Sequence, residues 1–161
     1  MKIYRGSCHC GSVTFEVRKK EPISILIDCN CSICTKKGLL HTPVENDELT
    51  ILSGEEHLRL YQFHTKTAKY WFCPTCGVEP FHRSRTNPQR YSVNARCLDD
   101  LPELLEKTGI WFVDASVHPL DQGGDSFPSR PNPYREQQGE DPGLVSEEAP
   151  VKQRRKSQET A

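Results

Sequence analysis

The stretches CHC at residues 8–10 and CPTCG at residues 73–77 decide the fold, because each carries two cysteines at a metal-binding spacing. In CPTCG, two intervening residues let both sulfurs turn toward one ion, and Gly77 tolerates the positive φ that such a turn often needs. CHC lies between Gly6 and Gly11, where a tight hairpin end can direct both sulfurs the same way. A tetrahedral zinc site takes four sulfurs at about 2.3 Å, which two such half-sites supply. An ion shared between them would contribute much of the folding free energy.

Another cluster comprises Cys29, Cys31 and Cys34 in the stretch CNCSIC. Three thiolates within six residues can hold one ion and leave a coordination position over, which is typical of catalytic zinc sites. A fourth protein ligand would make the site structural instead, and the candidates for it are Cys97, His9, His41 and His82. The spacing favours neither interpretation, and it does not fix which clusters share an ion. Isolated buried cysteines do not cluster beside glycines in this way, so we favour zinc binding over a purely structural role for the clusters. Cys97 lies outside the clusters and is interpreted as a buried hydrophobic residue.

The composition fits one domain with a real core and excludes several classes of protein. The chain has 161 residues, a formal charge of −1 and a pI near 6.6, which give no global attraction to nucleic acid or membrane. No apolar run approaches a membrane span, and the first residues lack the apolar stretch of a secretory signal. We therefore expect a reducing cytoplasmic location, with the nucleus as an alternative. Eight cysteines in such a compartment indicate metal binding or catalysis rather than disulfides.

The composition changes sharply near residue 120, and all eight cysteines precede that point. We expect a zinc-binding domain at residues 1–121 and a disordered tail at residues 122–161, because the tail has five prolines and few apolar residues. The basic stretch KQRRKS at residues 152–157 suggests a nuclear address or a kinase site. A solvated charge run is the favoured interpretation of that stretch.

The patterning of the domain predicts a mainly β fold of antiparallel strands. Residues 12–18 alternate, with Val13, Phe15 and Val17 on one face. The other predicted strands are residues 23–27, 57–63, 68–72, 78–82 and 91–95. One short helix is predicted at residues 101–107, where Asp99 or Asp100 is the N-cap, Pro102 lies in the first turn and Gly109 follows the end.

Four ordered motifs together resemble the glutathione-dependent formaldehyde-activating enzyme (GFA-domain) family, which includes the centromere protein V group. They are GSCHCGSVTF at residues 6–15, CNCSIC at 29–34, FCPTCG at 72–77 and NARCLD at 94–99. The likeness runs from about residue 5 to 99 and loosely to 113. It implies a β-tent fold of small antiparallel sheets held together by zinc.

The resemblance also implies the ligand sets of two Zn²⁺ ions and a reaction. Cys8, Cys10, Cys73 and Cys76 match the family's structural zinc ligands, whereas Cys29, Cys31 and Cys34 match the ligands of its catalytic zinc. Family members are described as condensing formaldehyde with glutathione to S-hydroxymethylglutathione, or as catalysing the reverse. That activity places them among the carbon–sulfur lyases, with glutathione as cosubstrate.

Three thiolates on Zn²⁺ make a weak Lewis acid that suits a soft sulfur ligand, and a thiol that binds there loses its proton. Lys36 and Lys37 follow directly and can offset the negative charge or hold a glutathione carboxylate, unless they are ordinary solvated lysines. A proton donor for the new hydroxyl is not evident from the sequence. His41, His82 and Tyr91 are candidates by residue type only, and an ordinary surface or core role is favoured for each. Candidates that shape a substrate pocket, or pair with acidic residues of nearby turns, are Arg83, Arg85 and Asn94.

Three functions remain in competition. The favoured one is a lyase-like enzyme whose partners are a small-molecule thiol and an aldehyde. The alternative is an interaction module in which both zinc sites are structural and the basic tail binds a partner. A redox-sensing or zinc-buffering protein would use the same thiolates. The domain lacks a basic stripe with interleaved aromatics, which disfavours nucleic acid as its ligand. The oligomeric state stays open.

Overall fold

The structure is a computed structural model that describes residues 1–124 and 126–134. Within those residues the chain forms ten strands, two α-helices and three short 3-10 turns. The strands are β1 (Lys2–Ser7), β2 (Thr14–Lys19), β3 (Ile25–Cys29), β4 (Leu40–Val44), β5 (Leu49–Ser53), β6 (Arg59–Tyr61), β7 (Lys69–Phe72), β8 (Phe81–Arg83), β9 (Tyr91–Asn94) and β10 (Gly109–Val113). The helices are α1 (Ser32–Lys37) and α2 (Leu101–Lys107), and the 3-10 turns are Glu55–His57, Ala95–Cys97 and Pro119–Asp121.

The strands form two sheets, which confirms the mainly β prediction. A three-stranded antiparallel sheet has the order β1-β2-β5, and a seven-stranded sheet has the order β10-β3-β4-β9-β8-β7-β6. Every neighbouring pair is antiparallel except β10 and β3, which run parallel from Gly109 beside Ile25 to Val113 beside Cys29. Parallel strands need a long connection, and here residues 30–108 lie between the two. The last strand thus ends beside the first cysteine of the CNCSIC stretch.

The alternation predicted for β2 is present, but its outer face is also covered. Val13, Phe15 and Val17 are fully buried, and Phe15 packs edge-to-face on Phe81 with ring centroids 5.9 Å apart. Glu16, on the opposite face, is only 7 % exposed. Its carboxylate accepts hydrogen bonds from Arg5 at 3.3 Å and Arg18 at 3.1 Å, so the two arginine side chains cover it.

Of the two helices, α2 was predicted from the sequence and α1 was not. The helix α2 spans the predicted residues, with Asp100 at its N-cap position and Pro102 in its first turn, and β10 begins at Gly109. The helix α1 was not predicted, because six residues within a cysteine cluster are too few to show a periodic apolar face. It starts after Cys31 and ends at Gly38, whose φ of 61° gives the left-handed C-terminal cap.

The chain divides into two compact units, Met1–Pro131 and Asn132–Ala161. The predicted domain boundary at residue 121 therefore falls ten residues before the end of the first unit. Hydrogen bonds account for the difference, because Asp114 N donates to Pro128 O at 2.8 Å and Arg130 N donates to Phe112 O at 2.9 Å. Residues 135–161, with the KQRRKS stretch, lie outside the described part of the chain.

Among the described helices, none combines the length and the apolar character needed to cross a bilayer.

The contact between the β5 end and the CHC hairpin yields a stability prediction. Gly54 has a φ of 78°, and a Cβ added there would lie 2.1 Å from the backbone oxygen of Ser12. We expect Gly54→Ala to lower the free energy of unfolding by about 3 kcal/mol, from backbone strain plus overpacking. The control is Gly38→Ala, since Gly38 has a similar φ of 61° but nothing within 4 Å of its Cβ. That variant should lose about 1 kcal/mol. Urea denaturation followed by tryptophan fluorescence measures both, and equal losses would contradict the steric argument.

Candidate metal centre

Four cysteine sulfurs from two distant segments meet between the sheets. The Sγ atoms of Cys8, Cys10, Cys73 and Cys76 all lie within 4.8 Å of one another. Cys10 Sγ is 3.6 Å from Cys8 Sγ and 3.6 Å from Cys73 Sγ. In a regular zinc tetrahedron with bonds of about 2.3 Å the sulfurs are about 3.8 Å apart. All four cysteines are free thiols, so the cluster fits a closed tetrahedral ion.

Tight turns direct these sulfurs toward one point. In the first turn, Cys8 N donates to Val13 O at 3.0 Å and Gly11 N donates to Cys8 O at 3.0 Å. In the second, Gly77 N donates to Cys73 O at 2.8 Å, and Gly77 has the positive φ, 75°, that the sequence predicted. The two cysteine-bearing turns therefore have the compact form that the motifs require.

The pKa values of Cys8, Cys10 and Cys76 are shifted in different directions. Burial raises the pKa of Cys8 to about 11. The hydroxyl of Ser12, 3.2 Å from Cys10 Sγ, together with its backbone N–H, lowers the pKa of Cys10 to about 6. For Cys76 burial acts to raise the pKa, but backbone N–H groups of Val78 and Cys10 outweigh it and the pKa is lowered. Donors already in place thus stabilise the thiolate form that a metal ion needs.

The second cluster lies where β3 passes into α1. Cys29 ends β3, Cys31 occupies the N-cap position of α1 and Cys34 lies within the helix, and their sulfurs are all within 4.8 Å of one another. In the described part of the chain, none of the four candidate fourth ligands joins this group. Hydrogen bonds from the thiols of Cys29 and Cys34 lower the pKa of Cys31 to about 2. The contact with Cys31 raises the pKa of Cys29 to about 11, although Cys34 acts to lower it, and the contacts with Cys29 and Cys31 raise the pKa of Cys34.

A buried polar group accompanies this cluster. His41, Glu79 and His82 are 8 %, 3 % and 2 % exposed. The two imidazole rings pack edge-to-face with centroids 5.1 Å apart, and His82 Nδ1 lies 3.1 Å from Glu79 Oε1. That approach lacks the angle of a hydrogen bond. Among the described residues, three of these buried polar atoms have no hydrogen-bond partner: His41 Nδ1, Glu79 Oε1 and His82 Nδ1.

Two further effects show that this group faces the thiols. Burial, followed by the neighbouring His82, lowers the pKa of His41 to about 3, whereas Cys31 acts to raise it. Burial raises the pKa of Tyr70, a direction that the thiols of Cys34 and Cys31 reinforce. The ring of Tyr70 stacks on His82 with centroids 5.3 Å apart. His41 and Tyr70 thus lie within electrostatic range of the three-cysteine cluster, and His82 packs on both of them.

The predicted carboxylate-binding lysines have different environments. The Lys37 ammonium pairs with the buried carboxylate of Glu79. It also lies 5.9, 5.6 and 5.8 Å from the ring centroids of Tyr61, Tyr70 and Phe72. Lys36 is exposed and lines an open cavity of 490 Å³ together with Cys76, Glu79, Asn94, Arg96 and Cys97, among others. Only Lys36 of the pair therefore keeps its ammonium available to a bound ligand.

Other residues singled out from the sequence have structural contacts. The Arg83 guanidinium lies 4.2 Å from the centroid of Tyr91 and donates to Pro88 O at 3.0 Å. Arg85 pairs with Asp121 at 2.7 Å. The Asn94 side chain donates to Glu79 O at 2.9 Å, so it fixes the backbone of that buried acid.

Cys97 is buried, as interpreted from the sequence, and burial raises its pKa to about 12. Glu79 was missed, although it stands alone among apolar residues in the stretch VEPF at residues 78–81. A lone carboxylate in such a run is the signal that could have identified it.

The fold and the clusters define a cysteine-rich β protein with two sites able to hold metal ions. Residues 3–114 match the family described as "Glutathione-dependent formaldehyde-activating enzyme", and the chain belongs to this family.

A protein of Halomonas elongata that provisionally carries the same description is 30 % identical over 115 residues, which cover 65 % of this chain and 72 % of the relative. The crystal structure of a Rhodobacter sphaeroides protein, a structural-genomics target, has 38 % identity and a TM-score of 0.59; the match covers 66 % of this chain and 98 % of that one.

The pairing of Lys37 with Glu79 can be tested through stability. Lys37→Met leaves the buried carboxylate without its cation and should lower the free energy of unfolding by about 3 kcal/mol. The double variant Lys37→Met/Glu79→Gln should recover at least half of that loss. The control is Lys107→Met, which removes an exposed pair with Glu103 at 3.2 Å and should leave stability nearly unchanged. Losses that simply add in the double variant, as measured by urea denaturation, would contradict a coupled pair.

Proposed function

We propose that this protein is a zinc-dependent, lyase-like enzyme that forms or cleaves the carbon–sulfur bond of a glutathione–aldehyde adduct of the S-hydroxymethylglutathione type. The observation that carries the proposal is the three-cysteine cluster, which gains no fourth ligand among the described residues and borders a buried polar group. Family membership supports the proposal through the description that the matched family carries.

In this proposal the two clusters have different tasks. Cys8, Cys10, Cys73 and Cys76 hold a structural zinc ion, and Cys29, Cys31 and Cys34 hold a second zinc ion. When bound, the second ion supplies an open position for a soft sulfur ligand and lowers the pKa of a thiol. Thiolate ligands need a reducing compartment, so we place the protein in the cytoplasm.

Residues of the chain must also hold the proton that the reaction transfers between the thiol and the aldehyde oxygen. When the thiol adds to the aldehyde, a carbon–sulfur bond forms and the carbonyl π pair moves to oxygen, which takes up one proton. The thiol has released one proton, so the site must hold it between the two events. The unpartnered atoms of His41, Glu79 and His82 are the buried group suited to this task. Bond cleavage uses the same group in reverse.

The glutathione carboxylates require cations at the rim of the site. Lys36 was proposed for this role from the sequence because it follows Cys34 by two positions, and it lines a cavity beside the end of α1 together with Arg96, Cys76 and Cys97. Arg96 Nε donates to Gly38 O at 2.9 Å, which holds the guanidinium beside the end of α1. Lys37 instead counters the buried Glu79. We therefore assign carboxylate binding to Lys36 and Arg96 and a positioning role to Lys37.

Metal counting tests the proposal most directly. The intact chain, purified without chelator, should carry two zinc ions, and Cys31→Ser should carry one while staying folded. Glutathione should perturb only the ion that Cys31→Ser loses. The control Cys97→Ser removes a buried thiol outside both clusters and should keep two ions.

The lyase assay then follows the rate of formaldehyde–glutathione adduct formation and breakdown. Two ions that are indifferent to glutathione, with no effect on the adduct, would overturn the enzyme proposal. That outcome would favour the interaction module, and its partner would then be sought with variants lacking residues 152–157.

The carboxylate assignment yields a binding prediction. The double variant Lys36→Gln/Arg96→Gln should weaken glutathione binding about tenfold, because it removes two partly screened charge contacts. The double variant Lys20→Gln/Lys66→Gln removes two exposed lysines outside the cavity and serves as the charge-matched control. Isothermal titration of the zinc-loaded protein measures both affinities. An unchanged affinity in Lys36→Gln/Arg96→Gln would place the glutathione carboxylates elsewhere.

A further inference from the structure

The segment at residues 126–131, here called the C-terminal strap, packs along β10. Asp114 N donates to Pro128 O at 2.8 Å, and Arg130 N donates to Phe112 O at 2.9 Å. Ser129 forms an isolated β-bridge with Val113, and its hydroxyl accepts a hydrogen bond from the indole of Trp111 at 2.7 Å. The strap lies beyond residue 114, where the match to the family ends. Its contacts are therefore features of this chain that the family match does not include.

One side chain of the strap reaches the strand that carries the second cluster. The Arg130 guanidinium pairs with Asp28 Oδ1 at 2.5 Å, and both side chains are 17 % exposed. Its Nε donates to Val113 O at 3.2 Å, and its Cζ lies 5.5 Å from the ring centroid of Phe112. A partly buried guanidinium with three kinds of contact is held in one geometry. Asp28 immediately precedes Cys29, so Arg130 fixes the chain next to a cysteine of the cluster.

A second anchor lies between two cysteines of the cluster. Asn30 separates Cys29 from Cys31, and its side-chain amide donates to Asp114 Oδ1 at 3.0 Å. Its Oδ1 accepts a hydrogen bond from Ala115 N at 2.6 Å, and its backbone N–H donates to Val113 O at 3.4 Å. Both functional groups of the amide are thus used to tie the loop to the segment that follows β10.

One anchor lies inside the sheet ladder and the other lies just beyond it. Asp28 is paired with Phe112 and with Leu40, whereas Asn30 follows the last pair, Val113 and Cys29, and continues it by its backbone hydrogen bond to Val113 O. One ion can contact all three sulfurs only while they stay within 4.8 Å of one another, so a loop that is free to spread would bind it more weakly. We infer that Arg130 and Asn30 are positioning residues that hold residues 28–31 in the geometry that binds a metal ion. The inference rests on the proposed function only in that the three-cysteine cluster holds an ion.

The test is the zinc affinity of the second site in the full chain, measured by competition with a chromogenic chelator. Arg130→Met should weaken binding of the second ion about tenfold, as is common for outer contacts of metal sites. Arg130→Lys, which keeps the charge, should recover part of the loss. Asn30→Ala should weaken the same ion by at least as much as Arg130→Met.

Two readouts separate positioning from general stability. The first ion should keep its affinity in every variant, and the cobalt-substituted second site should show shifted visible bands in Arg130→Met. The control is Arg90→Met, which removes a surface pair with Glu45 at 3.6 Å and should change neither readout.

Affinities of Arg130→Met and Asn30→Ala within twofold of the intact chain would overturn the inference while leaving the proposed function intact. A second ion with normal strap dependence but no response to glutathione would overturn only the proposed function. An intact chain that binds a single ion would overturn both.

Discussion

The convergence of Cys8 and Cys10 with Cys73 and Cys76 is the constraint on which the remaining structure depends. It joins the end of the β1–β2 hairpin, in the small sheet, to the turn between β7 and β8, in the large sheet. Cys10 and Cys73 are 63 positions apart, and closing a flexible loop of that length costs about 4 kcal/mol of chain entropy. An ion that bound only the assembled cluster would offset this cost, and the two sheets and their shared core would then form together with it.

Buried charge links this constraint to the second cluster. Glu79 follows Cys76 by three residues, and Lys37 follows Cys34 by three residues. Their ion pair therefore joins the turn that carries one cluster to the helix that carries the other. Asn94 supports the same point by bonding to Glu79 O. The two clusters are consequently parts of one continuous polar arrangement within an otherwise apolar core.

The sequence was informative where local chemistry determines structure. The cysteine spacing predicted the three-cysteine cluster and the two half-sites of the other cluster, and the family resemblance implied how those half-sites pair. Alternation predicted β2, and capping residues predicted α2. It was uninformative where partners are distant. The strand β4 contains Pro43, which argues against a central strand, yet it lies between β3 and β9. The helix α1 depends on tertiary contacts, and the burial of Glu79 depends on Lys37, 42 positions away. Arg130 was counted with the tail because no local pattern marks an ion pair with Asp28.

The strap contact also bears on the order in which the molecule can assemble during synthesis. The closed cluster is the four-cysteine cluster of Cys8, Cys10, Cys73 and Cys76, and all four cysteines have been synthesised once residue 76 has been added. Arg130 and Asp28 are 102 positions apart, so their ion pair cannot form until most of the chain has left the ribosome. A chain that emerges from its N-terminus can therefore complete the closed cluster well before the loop of the other cluster acquires its last anchor. The site proposed for chemistry is in this sense the last part of the domain to become rigid, after its supporting sheets have formed.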